Sequence, residues 1–199
     1  LKTLTLENRV WLAPILATDY ELLIKVMSEK QKLIVVMGVS GCGKSSVAQA
    51  LAIHYQYELV EADDFHPQEN KEHMANGLAL TDAMHEPWIA LLQAHLKQSL
   101  KAGRNCVMSF SGLRRLHRSK IRDLPFDSFF IHLEAEQQLL SDRLNARSDH
   151  FMTACLLDNQ YKTLETASKK ETIANIDVEQ SLELVIAAAI AVLDQQATK

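Results

Sequence analysis

Cysteine is scarce in this chain of 199 residues: Cys42, Cys106 and Cys155 are far apart and odd in number. Such spacing excludes a disulfide framework and offers no pair suited to a zinc site, which points to a reducing compartment. An excess of positive charge is also missing. Lys and Arg number 21 against 25 Asp and Glu, a formal net charge of −4, so no overall basic field steers the molecule to nucleic acid. Long apolar runs are absent too. Leu184–Leu193 falls well short of the roughly 20 residues a membrane helix needs. Trp11–Leu16 is short, is interrupted by Pro14 and has no small-residue cleavage site after it, unlike a secretory signal. The expectation is a cytoplasmic protein with no membrane and no nucleic-acid partner. Glycine is sparse as well, six in all, and half of the six are gathered in one stretch of eight residues.

What is present is ordinary for a globular enzyme: 47% hydrophobic and 23% charged residues. A chain of this length buries about 70% of its unfolded surface and needs no staple. From Lys32 onward, strand and helix patterns alternate. Leu33–Met37 is a β-branched apolar run, the mark of a buried parallel strand. Further strands are expected at Tyr57–Glu61, Asn105–Phe110, Ser128–Leu133 and Thr172–Ile176. Helices are expected at Lys44–His54, Gln68–Asn76, from Pro87 to a stop at Gly103, and at Leu113–Arg122, Glu136–Ala146 and Glu179–Leu193. In the helix after Pro87, Trp88, Leu91, Leu92, His95 and Leu96 form the expected buried face. The apolar last helix is expected to be buried. This alternation predicts an α/β fold with a parallel sheet covered on both faces, whose ligands bind at the carboxyl ends of the strands. Residues 1–31 read as a separate helical appendage and 32–199 as the main domain.

The strongest chemical signal is Gly38-Val39-Ser40-Gly41-Cys42-Gly43-Lys44-Ser45, a full match to G-x-x-x-x-G-K-[ST] between a strand and a helix. Glycines let consecutive N–H groups close around a phosphate, and the helix start adds its positive dipole end. Gly38, Ser40, Gly41, Cys42, Gly43, Lys44, Ser45 and Ser46 are therefore the nucleotide-binding candidates. Lys44 would serve the β- and γ-phosphates of ATP, and Ser45 would serve Mg²⁺. A second signal, Glu61-Ala62-Asp63-Asp64-Phe65-His66-Pro67, follows the second strand. Its clustered carboxylates suit a cation or a hydroxyl-bearing ligand, and they suit a capped, solvated turn equally well. Arg114, Arg115, His117, Arg118, Lys120 and Arg122 form a basic run in which Arg114, Arg118 and Arg122 share one helical face. A solvated face is the default for such a run.

The loop Gly38–Ser45, Asp63–Pro67, Leu80-Thr81-Asp82 with Pro87-Trp88, and His150-Phe151-Met152 followed by Leu156-Leu157 and Leu164-Glu165 resemble the gluconate kinases over about residues 33–195. The resemblance implies a three-layer P-loop kinase fold with a mostly parallel five-stranded sheet and a helical lid at about 148–159. It implies transfer of the ATP γ-phosphoryl group to D-gluconate, with Mg²⁺, and a homodimer. It places Asp63 at the acceptor hydroxyl and Glu61 near Mg²⁺, possibly through water. It also offers His66, Arg114, Arg118 and His150 as substrate contacts, and Arg143, beside Arg147, as a lid arginine acting on the transferred group. His66 reads equally as a brace of its loop, and the lid arginines as surface residues. The chain departs from the family pattern at Met84-His85, where relatives have Asp-Arg, and at Ala62, Ala79, His117, Asp149 and Ala167. The departure at His85 leaves open a different sugar acid or a shikimate-like acceptor. A non-catalytic ATP-binding module is the remaining alternative.

Overall fold

The computed structural model describes residues 30–145, 154–168 and 171–197. Five strands form one sheet: β1 (Lys32–Met37), β2 (Glu58–Glu61), β3 (Cys106–Phe110), β4 (Asp127–Glu134) and β5 (Ile173–Asp177). Their order is β2-β3-β1-β4-β5 and every pairing is parallel. β1 lies at the centre, with Met37 level with Phe110 of β3 and His132 of β4. The loops after β1, β2 and β3 therefore leave the same edge of the sheet.

Seven helices are described: α1 (Lys44–Tyr55), α2 (Gln68–Ala75), α3 (Asp82–Lys101), α4 (Arg115–Arg122), α5 (Gln137–Asn145), α6 (Ala154–Thr163) and α7 (Leu182–Ala197). The period-two pleat of β1 feeds two cores. Ile34 and Val36 pack with Val47, Ala48 and Leu51 of α1 and Val185, Ala189 and Leu193 of α7. Leu33, Val35 and Met37 pack with Trp88, Ile89, Leu92 and Leu96 of α3 and Ile121 of α4. The sheet is thus buried on both sides, as its continuous apolar strands predict. Among the described residues, no helix is long and apolar enough to cross a membrane.

Three local expectations are corrected. α3 begins at Asp82, not at Pro87, because Thr81 caps it through its side chain onto the Met84 amide at 3.4 Å. Pro87 then sits in the second turn, where its missing N–H forfeits one ladder bond. On that helix Leu91 is exposed and Ile89 is buried, because the core-facing stripe is shifted toward Ile89. The last helix buries one stripe, Val185, Ala189 and Leu193, while Leu182 and Leu184 stay exposed.

α4 inverts the usual amphipathic order. It buries His117, Arg118 and Ile121 and leaves Leu116 exposed. A charge at a core position must be paired and hydrogen-bonded. Arg118 meets this demand through Nε and Nη2 to the two carboxylate oxygens of Glu171 at 2.7 and 3.1 Å. Its Nη1 reaches the carbonyls of Gly112 and Leu113 at 2.8 and 3.2 Å. Glu171 also accepts from Arg122 at 3.1 Å, and the Arg118 hydrogen bonds hold its carboxyl far below the usual carboxylate range. Arg122 in turn lies over the Phe130 ring at 4.3 Å.

Candidate active site

The phosphate loop forms because its glycines sit where other residues cannot. Gly38 has φ 142°, and a Cβ there would lie 2.8 Å from the Leu133 carbonyl and 2.9 Å from Cys42 Sγ. Gly43, at φ 96°, precedes the first residue of α1. The loop therefore turns tightly into the helix start, with amides gathered inward. Lys44 folds its Nζ back onto the Val39 carbonyl at 3.0 Å. Ser45 Oγ donates to Glu61 at 3.0 Å, and Ser109 Oγ donates to the same oxygen at 2.5 Å. This ties the loop after β1 to the ends of β2 and β3.

Beside the loop opens a cavity of about 610 Å³. On one side it is lined by Ser40, Gly41, Gly43, Lys44, Ser45 and Ser46; on the other by Asp63, Asp64, His66, His85 and Arg114. Gly38 and Cys42 are not in its wall. Gly38 works by close packing, and the Cys42 side chain is buried in the core, where burial raises its thiol pKa. Its backbone alone remains available to a phosphate.

Asp63 is carried by a single 3₁₀ turn, Ala62–Phe65. Trp88 Nε1 donates to the Ala62 carbonyl at 2.7 Å from the buried side. The His66 ring stacks on Trp88 at 4.2 Å. His66 therefore braces the turn and also lines the cavity. Asn70 Nδ2 donates to the Met84 carbonyl at 2.9 Å, joining α2 to α3.

Three imidazoles cluster here. His85 lies 4.7 Å from His117, ring to ring, and 5.8 Å from Trp88. Burial pushes His66 and His117 down to about 4, and burial lowers His85 as well. For His117, the neighbouring His85 and Arg114 push the same way. These rings are neutral near pH 7 and offer hydrogen bonds rather than charge. Positive charge on this side comes from Lys71 and Arg114. Arg114 is held by Asp82 at 2.6 Å with both side chains exposed, so an incoming anion competes only with a solvated partner.

Arg118, Arg143 and Glu61 lie outside the cavity wall. Arg118 was expected to meet a substrate anion, and the structure corrects this. Its side chain is 0% exposed and tied to Glu171, Gly112 and Leu113, so it fixes the loop that carries Arg114. Arg143 is not in the cavity wall, and its Nη2 donates to the Val178 carbonyl at 2.8 Å. His150 and Arg147 lie outside the described residues, as does most of the segment 148–159. Glu61 stands behind Ser45 rather than in the wall. Besides Lys71, which carries no sequence signal, the cavity wall also includes Ser111, Asn159, Gln160 and Thr163. The last three come from α6, more than 100 residues from the phosphate loop, and such a meeting leaves no mark in spacing.

A phosphate loop at the end of the central parallel strand, across a cavity from an acid at the exit of the edge strand β2, defines a P-loop kinase of small molecules. The family model described as an AAA domain matches residues 33–166. A gluconokinase of Gluconobacter oxydans (strain 621H) is 40% identical over 162 residues, 80% of this chain and 90% of that protein. The crystal structure of a gluconokinase from Sinorhizobium meliloti 1021 superposes with a TM-score of 0.75 at 36% identity, covering 85% of this chain and 95% of that one. Shikimate kinase from Aquifex aeolicus, with a TM-score of 0.56 and 13% identity over 83% of this chain and 98% of its own, shares the fold alone. The chain belongs to the gluconokinase family.

Proposed function

We propose that the protein transfers the γ-phosphoryl group of ATP to a terminal hydroxyl of D-gluconate, giving 6-phospho-D-gluconate. The observation that carries this reading is the cavity that brings Lys44 and Ser45 to face Asp63, in a chain 40% identical to a gluconokinase. Phosphoryl transfer asks the protein mainly for positioning and charge neutralisation. The amides of Gly41–Ser46 and the Lys44 ammonium hold the phosphates. Asp63 orients the acceptor hydroxyl and takes its proton late in transfer. Arg114 and Lys71 receive the acid's carboxylate, with His66 and His85 as neutral partners for its hydroxyls. Arg143 leaves Val178 to meet the transferred group when the nucleotide binds.

Mg²⁺ belongs to this reading. Among the described residues, no cluster of three His, Cys, Asp or Glu could hold a metal. Ser45 Oγ and the Glu61 carboxylate, 3.0 Å apart, form the sparse oxygen set that suits an ion keeping most of its waters. When bound, Mg²⁺ supplies charge neutralisation on the phosphates. The division into an appendage at 1–31 and a kinase domain at 32–199 with a lid at about 148–159 is part of the same proposal, as is a homodimer. The shikimate-like alternative rests on fold alone.

The test is a coupled ADP-release assay with gluconate and MgATP. Gluconate-dependent ADP release is expected. ADP release with another sugar acid or shikimate, and none with gluconate, would move the acceptor assignment. No release with any acceptor would favour a non-catalytic module.

A further inference from the structure

Among the described residues of α6, Gln160 hydrogen-bonds to the loop after β1. Gln160 Oε1 accepts from the Ser40 amide at 2.6 Å, and its Nε2 donates to Ser40 Oγ at 3.1 Å. We propose that Gln160 is a contact for the γ-phosphate: its carboxamide holds the Ser40 amide until a triphosphate arrives, then turns its Nε2 donors to the terminal phosphoryl oxygens. This rests on the reading of the cavity as an ATP site and goes beyond it, because it makes α6 sensitive to whether the nucleotide carries two phosphates or three.

Location supports the assignment first. Lys44 Nζ is on the carbonyl of Val39, the residue before Ser40. A phosphate-loop lysine serves the β- and γ-phosphates, so the Val39–Ser40 lip is the end where the terminal phosphate comes to rest. Gln160, Ser40, Lys44, Ser45 and Asp63 line one cavity, which puts Gln160 beside the group to be transferred.

The chemistry of the carboxamide fits. An amide side chain carries one acceptor oxygen and two N–H donors. In the structure described, the oxygen occupies a backbone N–H of the loop. A phosphate oxygen is a stronger acceptor for that N–H than a neutral carbonyl, and it also accepts from Nε2. The exchange replaces neutral hydrogen bonds with charge-assisted ones. A diphosphate offers nothing at this position and leaves the Gln160–Ser40 pair in place.

α6 is also held rigidly enough for such a contact. Leu157 is buried in the core, and Tyr161 Oη donates to the Ala135 carbonyl at 2.9 Å. Past its end, the Glu165 amide donates to the Leu113 carbonyl at 2.8 Å, and the Glu165 carboxylate accepts from the Arg115 amide at 2.6 Å. The helix thus bridges the phosphate loop and the loop that carries Arg114.

The test compares MgATP and MgADP affinities by titration calorimetry for wild type, Q160A and Q160E. Q160E is nearly isosteric and guards against a packing defect in Q160A. Expected for Q160A is about a tenfold loss for ATP, with ADP changed less than about twofold. Q160E should lose more ATP affinity than Q160A, since it sets a carboxylate against phosphate, with ADP again little changed. Equal losses for both nucleotides, or unchanged affinity for both, would make Gln160 a brace of the loop and overturn the assignment while leaving the kinase reading intact. A wild-type protein that binds neither nucleotide overturns both.

Discussion

The cavity has two unlike walls: the nucleotide wall is one continuous loop with its lysine, and the acceptor wall is built of side chains from a 3₁₀ turn, α2, α3 and the loop before α4. The first wall needs eight consecutive residues and the strand and helix that flank them. The second needs Trp88 under Ala62, Asn70 against Met84, and Arg118 clamped to Glu171 before Asp63 and Arg114 stand where they do. A wall of amides tolerates little change in sequence, because Gly38 has no room for a Cβ. A wall of side chains can be rebuilt residue by residue, and the departures from the family pattern at His85 and His117 fall on or beside it.

The nucleotide wall is tested most directly at Lys44. Lys44→Ala should lower turnover by roughly a thousandfold, the scale of losing a charge stabiliser of the transition state, with an unchanged melting temperature. Steady-state ADP release and a thermal melt read this, and a loss under tenfold would mean that the amides suffice alone. Next in size is Arg118→Met, which leaves the buried Glu171 carboxylate with only Arg122 and the Ser168 amide and should cost about 3 kcal/mol of stability in urea unfolding. Replacing Arg118 and Glu171 together by Met should recover only part of it, since Arg122 then loses its carboxylate partner. If Arg118 instead read the substrate, the single variant would keep its stability and raise KM.

Asp63→Asn should lower kcat by about a hundredfold while nucleotide affinity stays within about twofold; equal losses in both would shift Asp63 to the nucleotide wall. Acid should weaken the acceptor side through its imidazoles. His66 and His117 sit at about 4 in the folded protein against an ordinary 6.5, so the unfolded chain binds more protons between these values. Their cost to stability is absent above 6.5 and grows as pH falls toward about 4. Thermal melts across this window should flatten in His117→Phe. The smallest effect is expected from His85→Arg, a few-fold lower KM for gluconate, in keeping with a solvated charge pair. No change in KM would remove position 85 from acceptor recognition.

Legibility followed the same divide. The phosphate loop and the five parallel strands are readable because each is a local pattern: a glycine spacing, an apolar β-branched run. Arg118 was misplaced because a basic run on an amphipathic helix reads as surface or ligand contact, and only Glu171, 53 positions away, turns it inward. The start of α3 is hidden because Pro87 favours a first turn, while the Thr81 cap acts from further upstream. Gln160 had no local signal at all.

Short-range pattern is enough to make this chain a holder of polyphosphate, since a glycine-rich turn between an apolar strand and a helix has few other uses and is built from neighbouring residues. It also determined the layered parallel sheet, because period and run length are properties of short segments. Which charges face the cavity and which are consumed inside depends on long-range packing. Arg114 and Arg118 are one helical turn apart and chemically identical, but Arg114 meets exposed Asp82 and Arg118 meets buried Glu171. A charged side chain takes its role from the partner that desolvates or solvates it, and that partner is brought by the fold.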